Sequence, residues 1–569
     1  MSSDRFDYIV VGSGAAGAVV ASRLSEDPSV TVLLLEAGGR DWNPLIHMPV
    51  GFTKLTSPGV NWGFETVPQP QLNNREMWYP QGRTLGGSTS INAMIYIRGQ
   101  KEDYDRWAAL GNDDWGYEQV LPFFRRAEHN ERLNDRYHGS DGAMNVTEQV
   151  QHNELSKAFV RAAQELGVPF THDFNGERQY GVGYYDVTQK RARRESAATA
   201  YLRPARQRRN LVVQTHALAT KVLVEGGRAV GIRYAVKGRE RVVRADREVV
   251  LSGGSVNSPR LLLLSGIGPA DELRALGIEV KHDLPGVGKN YQDHMDVYLT
   301  AETTPVSYNT SDRFDKAALA GLQYALYRTG PVTACVCEAG MFVHSSEQVA
   351  TPDIQMHCLP AYVIDHGRQR VKGHGLTINT CNLRPKSVGS LTLRSADPSV
   401  PPAIDPAFLT DPYDWEISME GFRWGRELLA TSAYAPFIKR EHLPGSGVRT
   451  DKEIRAYIRQ WAKTDYHPVG SCKMGTDELA VVDQQLRVRG VAGLRVVDAS
   501  IMPTLISGNT QAPSIMIGEK GAHHIMHGDV KGESVPGEAA IARLGAGAGP
   551  RGARSVAGAR PVAGHGLAS

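Results

Sequence analysis

Three glycines near the start of the chain have the spacing of a loop that binds a dinucleotide. The run Gly12-x-Gly14-x-x-Gly17 follows a β-branched segment, 8–11, and precedes a stretch of helix formers. In such a loop the first glycine makes the tight turn, the second lets the backbone approach a pyrophosphate, and the third lets helix and strand pack closely. The pattern does not separate NAD from FAD. The residues assigned to this loop are Gly12, Ser13, Gly14, Ala15, Ala16 and Gly17.

An acidic residue completes the dinucleotide pattern. Glu36 lies 19 residues after Gly17 and ends a second apolar run, 31–35. A carboxylate at the end of the second strand of a βαβ unit can accept hydrogen bonds from ribose hydroxyls and repels a 2′-phosphate. Glu36 and the following Ala37 are therefore assigned to the same site.

A second glycine cluster spans residues 82–92 and contains the run Gly86-Gly87-Ser88. Such a run exposes backbone N–H groups and permits positive φ angles, so a large planar ligand can approach it closely. Eighteen histidines are present, and composition alone selects none of them as a catalytic base. Arg191, Arg193 and Arg194 form a basic cluster that is interpreted as a solvated surface.

Composition excludes several classes of protein. The 569 residues are 41% hydrophobic and 22% charged, as in a soluble globular protein, and no apolar run approaches the roughly 18 residues that span a bilayer. The net charge is +3, and four of the positive charges are arginines in the segment after Glu538. The rest of the chain is therefore close to neutral, and no nucleic-acid partner is predicted. Five cysteines without a C-x-x-C pair favour a reducing compartment and predict no metal site. With no apparent signal segment, the cytoplasm is the predicted location.

The elements around these loops alternate between strand and helix. A βαβ unit is predicted over residues 8–35, helices over 102–127, 153–166 and 411–431, and strands over 211–215, 221–225, 229–235 and 241–251. The residues after about 530 are rich in Gly, Ala, Arg, Ser and Pro, a composition that predicts disorder.

Four motifs together resemble those of the glucose-methanol-choline (GMC) oxidoreductases. They are the segments 82–92, 254–268, 466–468 and 497–503, and the resemblance covers residues 4–528. It implies a mixed α/β (α+β) fold, in which a Rossmann-like FAD-binding domain is assembled from discontinuous segments and a substrate domain contains an antiparallel sheet flanked by helices. Within the family, the runs 44–49 and 507–510 are most similar to membrane-associated members that oxidise aliphatic alcohols, and the choline-oxidising members come next.

The resemblance also implies domain boundaries. Residues 1–300 are expected to form the FAD-binding domain with its flavin loop, apart from about 40–80 and 150–200, which join the substrate domain. Residues 301–465 are expected to be substrate-binding, 466–530 to return to the first domain with the catalytic residues, and 531–569 to be a disordered tail.

By resemblance, a further set of residues contacts the flavin, its pyrophosphate, the ribityl chain or the adenine. The set is Arg83, Leu85, Gly87, Asn92, Ala93, Met94, Val222, Asp498, Ala499 and Thr510. Some choline-oxidising members attach FAD covalently through a histidine one position before the asparagine of the glycine loop. Here that position is Ile91, which has no nucleophilic atom, so non-covalent FAD is expected.

The resemblance assigns the catalytic pair. His467 matches the family's proton acceptor, and Asn509 matches its partner, whose amide can hold the alkoxide as it forms. Tyr466 beside them and Glu338 are assigned to the substrate pocket, where an acid could attract a cationic head group. His294 is interpreted as a packing residue.

The implied activity is oxidation of a primary, aliphatic alcohol to the aldehyde, with the proton taken by His467 and the hydride by flavin N5. Electrons would pass to a quinone or another acceptor, and a peripheral position on the inner membrane is compatible with the sequence. Choline dehydrogenase, oxygen-dependent alcohol oxidase and redox-neutral hydroxynitrile lyase remain as alternatives. The alcohol itself and the oligomeric state are left open.

Overall fold

The computed structural model describes residues 4–56, 58–309, 313–369 and 371–528. Its strands are β1 (Arg5–Val11), β2 (Val32–Leu35), β3 (Phe64–Glu65), β4 (Trp78–Tyr79), β5 (Glu128–Asn130), β6 (Met144–Val146), β7 (Gly181–Tyr184), β8 (Gln189–Lys190), β9 (Arg193–Arg194), β10 (Leu211–Gln214), β11 (Ala217–Glu225), β12 (Arg228–Val236), β13 (Arg239–Leu251), β14 (Ile267–Gly268), β15 (His282–Asp283), β16 (Met295–Thr303), β17 (Ala339–Val343), β18 (Ile354–Leu359), β19 (Gly375–Asn382), β20 (Ser390–Thr392), β21 (Ala403–Asp405), β22 (Ile438–Leu443), β23 (Lys463–Thr464) and β24 (Leu494–Val496). Its helices are α1 (Ala15–Leu24), α2 (Pro44–His47), α3 (Lys101–Ala109), α4 (Tyr117–Ala127), α5 (Glu154–Glu165), α6 (Arg203–Ala205), α7 (Gly254–Leu264), α8 (Ala270–Ala275), α9 (Phe314–Tyr327), α10 (Pro412–Leu429), α11 (Asp451–Trp461) and α12 (Gln511–His527).

The first sheet is built around the predicted βαβ unit. Its strand order is β10-β2-β1-β13-β12-β11, and β24 also pairs with β13. Strands β10, β2, β1, β13 and β24 run parallel, whereas β11 and β12 form an antiparallel extension. The parallel strands β1 and β2 are short apolar runs that are buried along most of their length, as expected where helices cover both faces of a sheet. Its strands come from residues 5–251 and 494–496, so the predicted assembly from discontinuous segments is confirmed.

The second sheet has the order β22-β16-β19-β18-β17-β7, with β23 also paired to β16. All of these pairings are antiparallel. Helices α5 and α10 pack against the sheet through an apolar cluster that includes Phe159, Met341, Met356 and Ile378. The predicted antiparallel sheet flanked by helices is therefore confirmed.

The two sheets are joined where the site residues lie. Strand β16 begins at Met295, a few residues before the predicted boundary at 300, and β7 at 181–184 pairs into the second sheet. Strand β23 ends at Thr464, and the chain then crosses to the first sheet through His467 and reaches β24.

The residues up to Met526 belong to one compact unit. The predicted tail at 531–569 lies outside the described residues. Among the described residues, none of the helices combines the length and apolarity needed to cross a bilayer.

Candidate active site

The loop between β1 and α1 shows why each of its three glycines is needed. Gly12 has a φ of +100°, and a Cβ there would lie 2.4 Å from the Ser252 carbonyl oxygen. A Cβ on Gly17 would lie 2.0 Å from the Gly12 carbonyl oxygen, so helix and strand touch at this point. In contrast, a Cβ on Gly14 would meet no protein atom within 4 Å. The backbone of Gly14 is thus open to a ligand, at the beginning of a helix that has no side-chain cap.

Glu36 lies at the end of β2, where its carboxylate is buried beside this loop. Its oxygens accept hydrogen bonds from the Ser13 amide at 3.1 Å, the Ser13 hydroxyl at 2.6 Å and the Gly38 amide at 2.8 Å. Burial raises the pKa of Glu36, and these three donors oppose that rise. The carboxylate also faces a cavity, so it is placed to receive hydroxyl groups of a ligand.

We call this space the dinucleotide cavity. It opens above the carboxyl ends of β1 and β2, the usual ligand position in an open parallel sheet. The predicted residues that line it are Gly12, Ser13, Gly14, Ala15, Ala16, Glu36, Ala37, Gly87, Asp498, Ala499 and Thr510. Asp498 is held there by the Gly254 amide at 2.9 Å and the Ser258 hydroxyl at 2.6 Å. An open loop, a buried acid and an uncapped helix start on one cavity fit a dinucleotide.

Seven predicted cofactor residues lie outside the lining of this cavity. Asn92, Ala93 and Met94 line a second cavity described below, and the other four line neither. Gly17 packs behind the loop, and Leu85 donates its amide to the Gly39 carbonyl. The guanidinium of Arg83 lies 4.8 Å from the ring centre of Trp62, which does line the cavity. The amide of Val222 is already bonded to the Ser265 hydroxyl at 2.8 Å, and the strand β11 contributes Ala217, Leu218 and Ala219 instead. The contact of Val222 with the adenine therefore stays a prediction.

The second glycine loop packs directly on the first. Gly87 has a φ of +54°, and a Cβ there would lie 2.8 Å from the Cα of Gly14. The loop is held from beneath by Arg194, which donates to the Thr89 carbonyl at 3.1 Å and to the Asn92 carbonyl at 2.6 Å. Arg194 is only 1% exposed, so its interpretation as a solvated surface residue is wrong. Burial lowers its pKa to about 9, and its hydrogen-bond partners are neutral oxygens.

A larger cavity of about 630 Å³ adjoins this loop, and we call it the large cavity. Asn92, Ala93 and Met94 from the loop line it, whereas Ala15, Thr510 and Tyr466 face both cavities. Much of the remaining wall is apolar, with contributions from Val50, Phe52, Val332, Val336, Leu359 and Val363. An apolar chamber beside a dinucleotide cavity is suited to a small organic substrate.

His467 and Asn509 meet in the wall of the large cavity. The Asn509 Nδ2 lies 3.1 Å from His467 Nε2, and Asn509 Oδ1 accepts from Gln355 Nε2 at 3.2 Å. The backbone of His467 is fixed by Asp293, whose carboxylate accepts its amide at 2.8 Å. The predicted pair is therefore brought together, and its side chains border the space in which a substrate would bind.

The neighbours of His467 select its tautomer. Leu383 offers a carbonyl oxygen 3.0 Å from His294 Nε2, and a carbonyl can only accept, so neutral His294 carries its proton on Nε2. His294 Nδ1 is then an acceptor and lies 3.0 Å from His467 Nδ1. The Asp465 carboxylate lies 3.4 Å from His467 Nδ1 as well. The proton of neutral His467 therefore sits on Nδ1, which leaves a lone pair on Nε2 toward the cavity.

Burial dominates the electrostatics of this histidine. Burial lowers the pKa of His467 to about 4, although the charge of Asp465 opposes the shift. Burial alone would raise the pKa of Asp465, but His467, His357 and Lys463 outweigh it and hold that pKa below its usual range. At neutral pH the site thus combines a neutral imidazole with a buried carboxylate that can stabilise an imidazolium.

Sequence reasoning missed His294 and Asp465 as parts of this site. His294 was assigned to packing, whereas it contacts His467 across 173 residues of sequence. Asp465 lies two residues before His467, a spacing that could have drawn attention to it. Asp465, Asp296 and Cys381 offer ligand atoms within 4.8 Å of one another, but the Lys463 ammonium already lies 2.6 Å from Asp296.

Glu338 does not line the large cavity. Its carboxylate is buried behind the wall, where it accepts hydrogen bonds from the Asn153 amide at 2.7 Å, the Ser156 hydroxyl at 2.8 Å and the Tyr308 hydroxyl. The predicted role of this acid in attracting a cationic head group is therefore not supported by its position.

Comparisons with known proteins find similarity over most of the chain. A family profile described as GMC oxidoreductase matches residues 6–296, and a second profile of the same description matches 385–518. An alcohol dehydrogenase [acceptor] of Pseudomonas putida is 49% identical over 529 residues, which cover 92% of this chain and 96% of that protein. A mitochondrial choline dehydrogenase of Mus musculus is 44% identical over 550 residues, which cover 94% of this chain and 92% of that protein.

Solved structures are similar over the same length. Pyridoxine 4-oxidase from Mesorbium loti superposes with a TM-score of 0.84 at 30% identity, over 92% of this chain and 99% of that one. A variant of the formate oxidase of Aspergillus oryzae, studied for modification of its FAD, gives a TM-score of 0.86 at 26% identity, over 93% of this chain and 100% of that one.

Proposed function

Because this chain belongs to the GMC oxidoreductase family, whose members bind FAD, we propose that it oxidises a primary aliphatic alcohol to the aldehyde. The observation that carries the proposal is the pairing of His467 Nε2 with Asn509 Nδ2 at 3.1 Å, in the wall of a large apolar cavity that adjoins the dinucleotide cavity. The alcohol and choline dehydrogenase relatives support oxidation of an alcohol-type donor, whereas the chain length of the alcohol and the residue roles are our proposal.

His467 acts as the base in this proposal. The substrate hydroxyl would lie between Asn509 and His467 and replace their direct hydrogen bond. It would donate its proton to His467 Nε2 and accept a hydrogen bond from Asn509 Nδ2. The lone pair on Nε2 is available because His294 and Asp465 hold the proton of His467 on Nδ1. As His467 becomes charged, Asp465 compensates the charge, and the Asn509 amide stabilises the alkoxide.

The residues of the dinucleotide cavity would hold FAD, with its pyrophosphate at Gly12–Gly17 and its adenosine ribose at Glu36. When bound, FAD supplies the hydride acceptor. A quinone or another acceptor would receive the electrons, in line with the name of the alcohol dehydrogenase [acceptor] relative.

We predict that FAD is bound without a covalent link. Ile91 occupies the position at which some family members carry a histidine linkage, and it lines the large cavity with an unreactive side chain. The purified protein should be yellow, and acid or heat denaturation should release free FAD into the supernatant. A yellow precipitate over a colourless supernatant would show a covalent attachment elsewhere.

A panel of substrates with an artificial electron acceptor, run with and without oxygen, tests the activity. We expect primary alcohols to bleach the flavin under anaerobic conditions, which a redox-neutral lyase reaction would not do. Turnover that requires oxygen, with no response to the artificial acceptor, would instead assign an oxidase.

We predict that specificity rises with the length of an uncharged alcohol until the large cavity is filled. Each buried CH₂ contributes roughly 0.8 kcal/mol, or about a fourfold rise in kcat/KM per carbon. Two aromatic rings of the wall are already covered by cations, since Lys463 lies 5.4 Å from the Tyr466 ring centre and Arg368 lies 5.8 Å from that of Trp78. These two rings therefore offer a quaternary ammonium less cation–π surface.

Choline and its uncharged isostere 3,3-dimethylbutan-1-ol form a matched pair for this prediction. The two have the same shape, so their ratio of kcat/KM reports the effect of charge alone. We expect the isostere to be the better substrate and medium-chain alcohols to be better still. A clear preference for choline would contradict the proposal and favour the choline dehydrogenase alternative.

A further inference from the structure

Helix α9 exposes an unusual amount of apolar surface. Within the described residues, five of the fourteen exposed large hydrophobic side chains lie on this helix: Phe314 (90% exposed), Leu319 (61%), Leu322 (56%), Leu326 (63%) and Tyr327 (72%). The three leucines recur at intervals of three and four residues, so they form one stripe along the helix. A contiguous exposed stripe of this kind marks an interaction surface.

The opposite side of α9 faces the protein and the large cavity. Ala320 and Tyr324 are buried against Ala192 and Val332, and the Tyr324 hydroxyl donates to the Ala192 carbonyl at 3.1 Å. Ala317, Ala320 and Gly321 line the large cavity. The apolar stripe is therefore the outer surface of a wall of the cavity that we assign to the substrate.

Positive charge borders this helix. Ala192 lies at the tip of the β8–β9 hairpin, whose residues Lys190, Arg191 and Arg193 are exposed. These three side chains line one surface depression together with Arg203 and with Arg328, which caps the C-terminus of α9. Glu195 also lines it, and Asp315 on the helix is paired with Arg313 at 3.1 Å, so the surroundings keep a net positive charge.

We propose that α9 and the β8–β9 hairpin form a docking surface for an anionic lipid bilayer. The leucine stripe would enter the boundary between headgroups and acyl chains, and the arginines and lysine would pair with lipid phosphates. A second copy of the chain fits this surface less well, because a two-fold contact would bring the same positive patch to both sides. Docking in this way would place the wall of the large cavity against the membrane, from which an apolar alcohol could enter.

Vesicle binding by the FAD-loaded full chain tests the proposal. The vesicles contain phosphatidylcholine alone or phosphatidylcholine mixed with anionic phosphatidylglycerol, and binding is measured by co-sedimentation. The test variants are the pairs Leu319→Glu with Leu322→Glu, and Arg191→Glu with Arg193→Glu. The control pair is Val212→Glu with Val242→Glu, two exposed valines on the first sheet. Oxidation of a water-soluble alcohol with an artificial acceptor monitors the integrity of each protein.

We expect the parent and the control pair to bind mixed vesicles, and both test variants to lose at least about tenfold in binding while their oxidation rate stays within about twofold. Absence of binding by the parent would overturn the proposal. Unchanged binding by both test variants would also overturn it, and would point to the arginines of the C-terminal segment. Conversion of a dimer to a monomer by the leucine variant, seen by sedimentation velocity, would assign the surface to a second copy instead.

Discussion

Replacing His467 by alanine should slow reduction of the bound flavin by roughly 100-fold or more, the usual loss when a general base is removed. The expected size follows from the position of His467 Nε2, which is unprotonated and borders the cavity. Its lone pair accepts from Asn509 Nδ2 until a substrate hydroxyl replaces that hydrogen bond. Asn509 can hold an alkoxide but has no basic atom, so it cannot replace His467 as the proton acceptor.

The measurement is anaerobic stopped-flow reduction of the flavin by alcohol, with FAD content determined from the same sample. FAD should stay bound in His467→Ala, because the residues assigned to its pyrophosphate and ribose line the dinucleotide cavity, to which His467 does not contribute. The variant His172→Ala is a matched control, since His172 is exposed and remote from the site in sequence. Near-normal reduction by His467→Ala would refute the assignment of the base.

The pH dependence of the same step provides a second readout. A base must be neutral, and burial lowers the pKa of His467 to about 4, so activity is lost only as the pH falls through that region. The reduction rate should therefore change little between neutral pH and about pH 5.5. A midpoint near 6.5, the ordinary value for histidine, would show that His467 is more solvated than its surroundings indicate.

Local patterns of the sequence predicted the first sheet well. The helix predicted from the βαβ pattern is observed as Ala15–Leu24, and the strands predicted at 229–235 and 241–251 appear as Arg228–Val236 and Arg239–Leu251. These elements have strong periodicity and short connections, and they are bounded by glycines or by an Asp-Pro pair. Such features act over a few residues, so they can be read without knowledge of the fold.

The surroundings of His467 could not be predicted in the same way. His294 contacts Leu383 and Asp465 only because β16, β19 and β23, which these residues flank, meet in the second sheet. Arg194 was misassigned for a related reason. In sequence it belongs to an arginine cluster, but the alternation of side chains along β9 turns it inward beneath the glycine loop, while Arg193 stays exposed. Pairing between distant segments decides both cases, and local composition does not encode it.

Replacing Gly14 by valine should give a folded protein that has lost its FAD. A Cβ at this position would meet no protein atom within 4 Å, and the φ of −71° is one that valine adopts readily. The protein should therefore tolerate the change. However, the new side chain would occupy the path by which the backbone approaches a pyrophosphate. If this overlap costs about 3 kcal/mol, as overpacking of a tight site does, FAD binding weakens roughly 100-fold.

The visible flavin absorbance per chain measures the loss, and thermal unfolding measures the fold, with FAD-stripped parent protein as the reference because ligand binding itself raises Tm. Gly447→Val is a matched control, since a Cβ there also meets no atom within 4 Å and Gly447 lies outside both cavities. Gly17→Val should instead fail to fold, because its Cβ would lie 2.0 Å from the Gly12 carbonyl oxygen. A yellow, active Gly14→Val protein would show that the pyrophosphate does not approach this loop. The assignment of the dinucleotide cavity would then be wrong, whereas the membership of the family would not be affected.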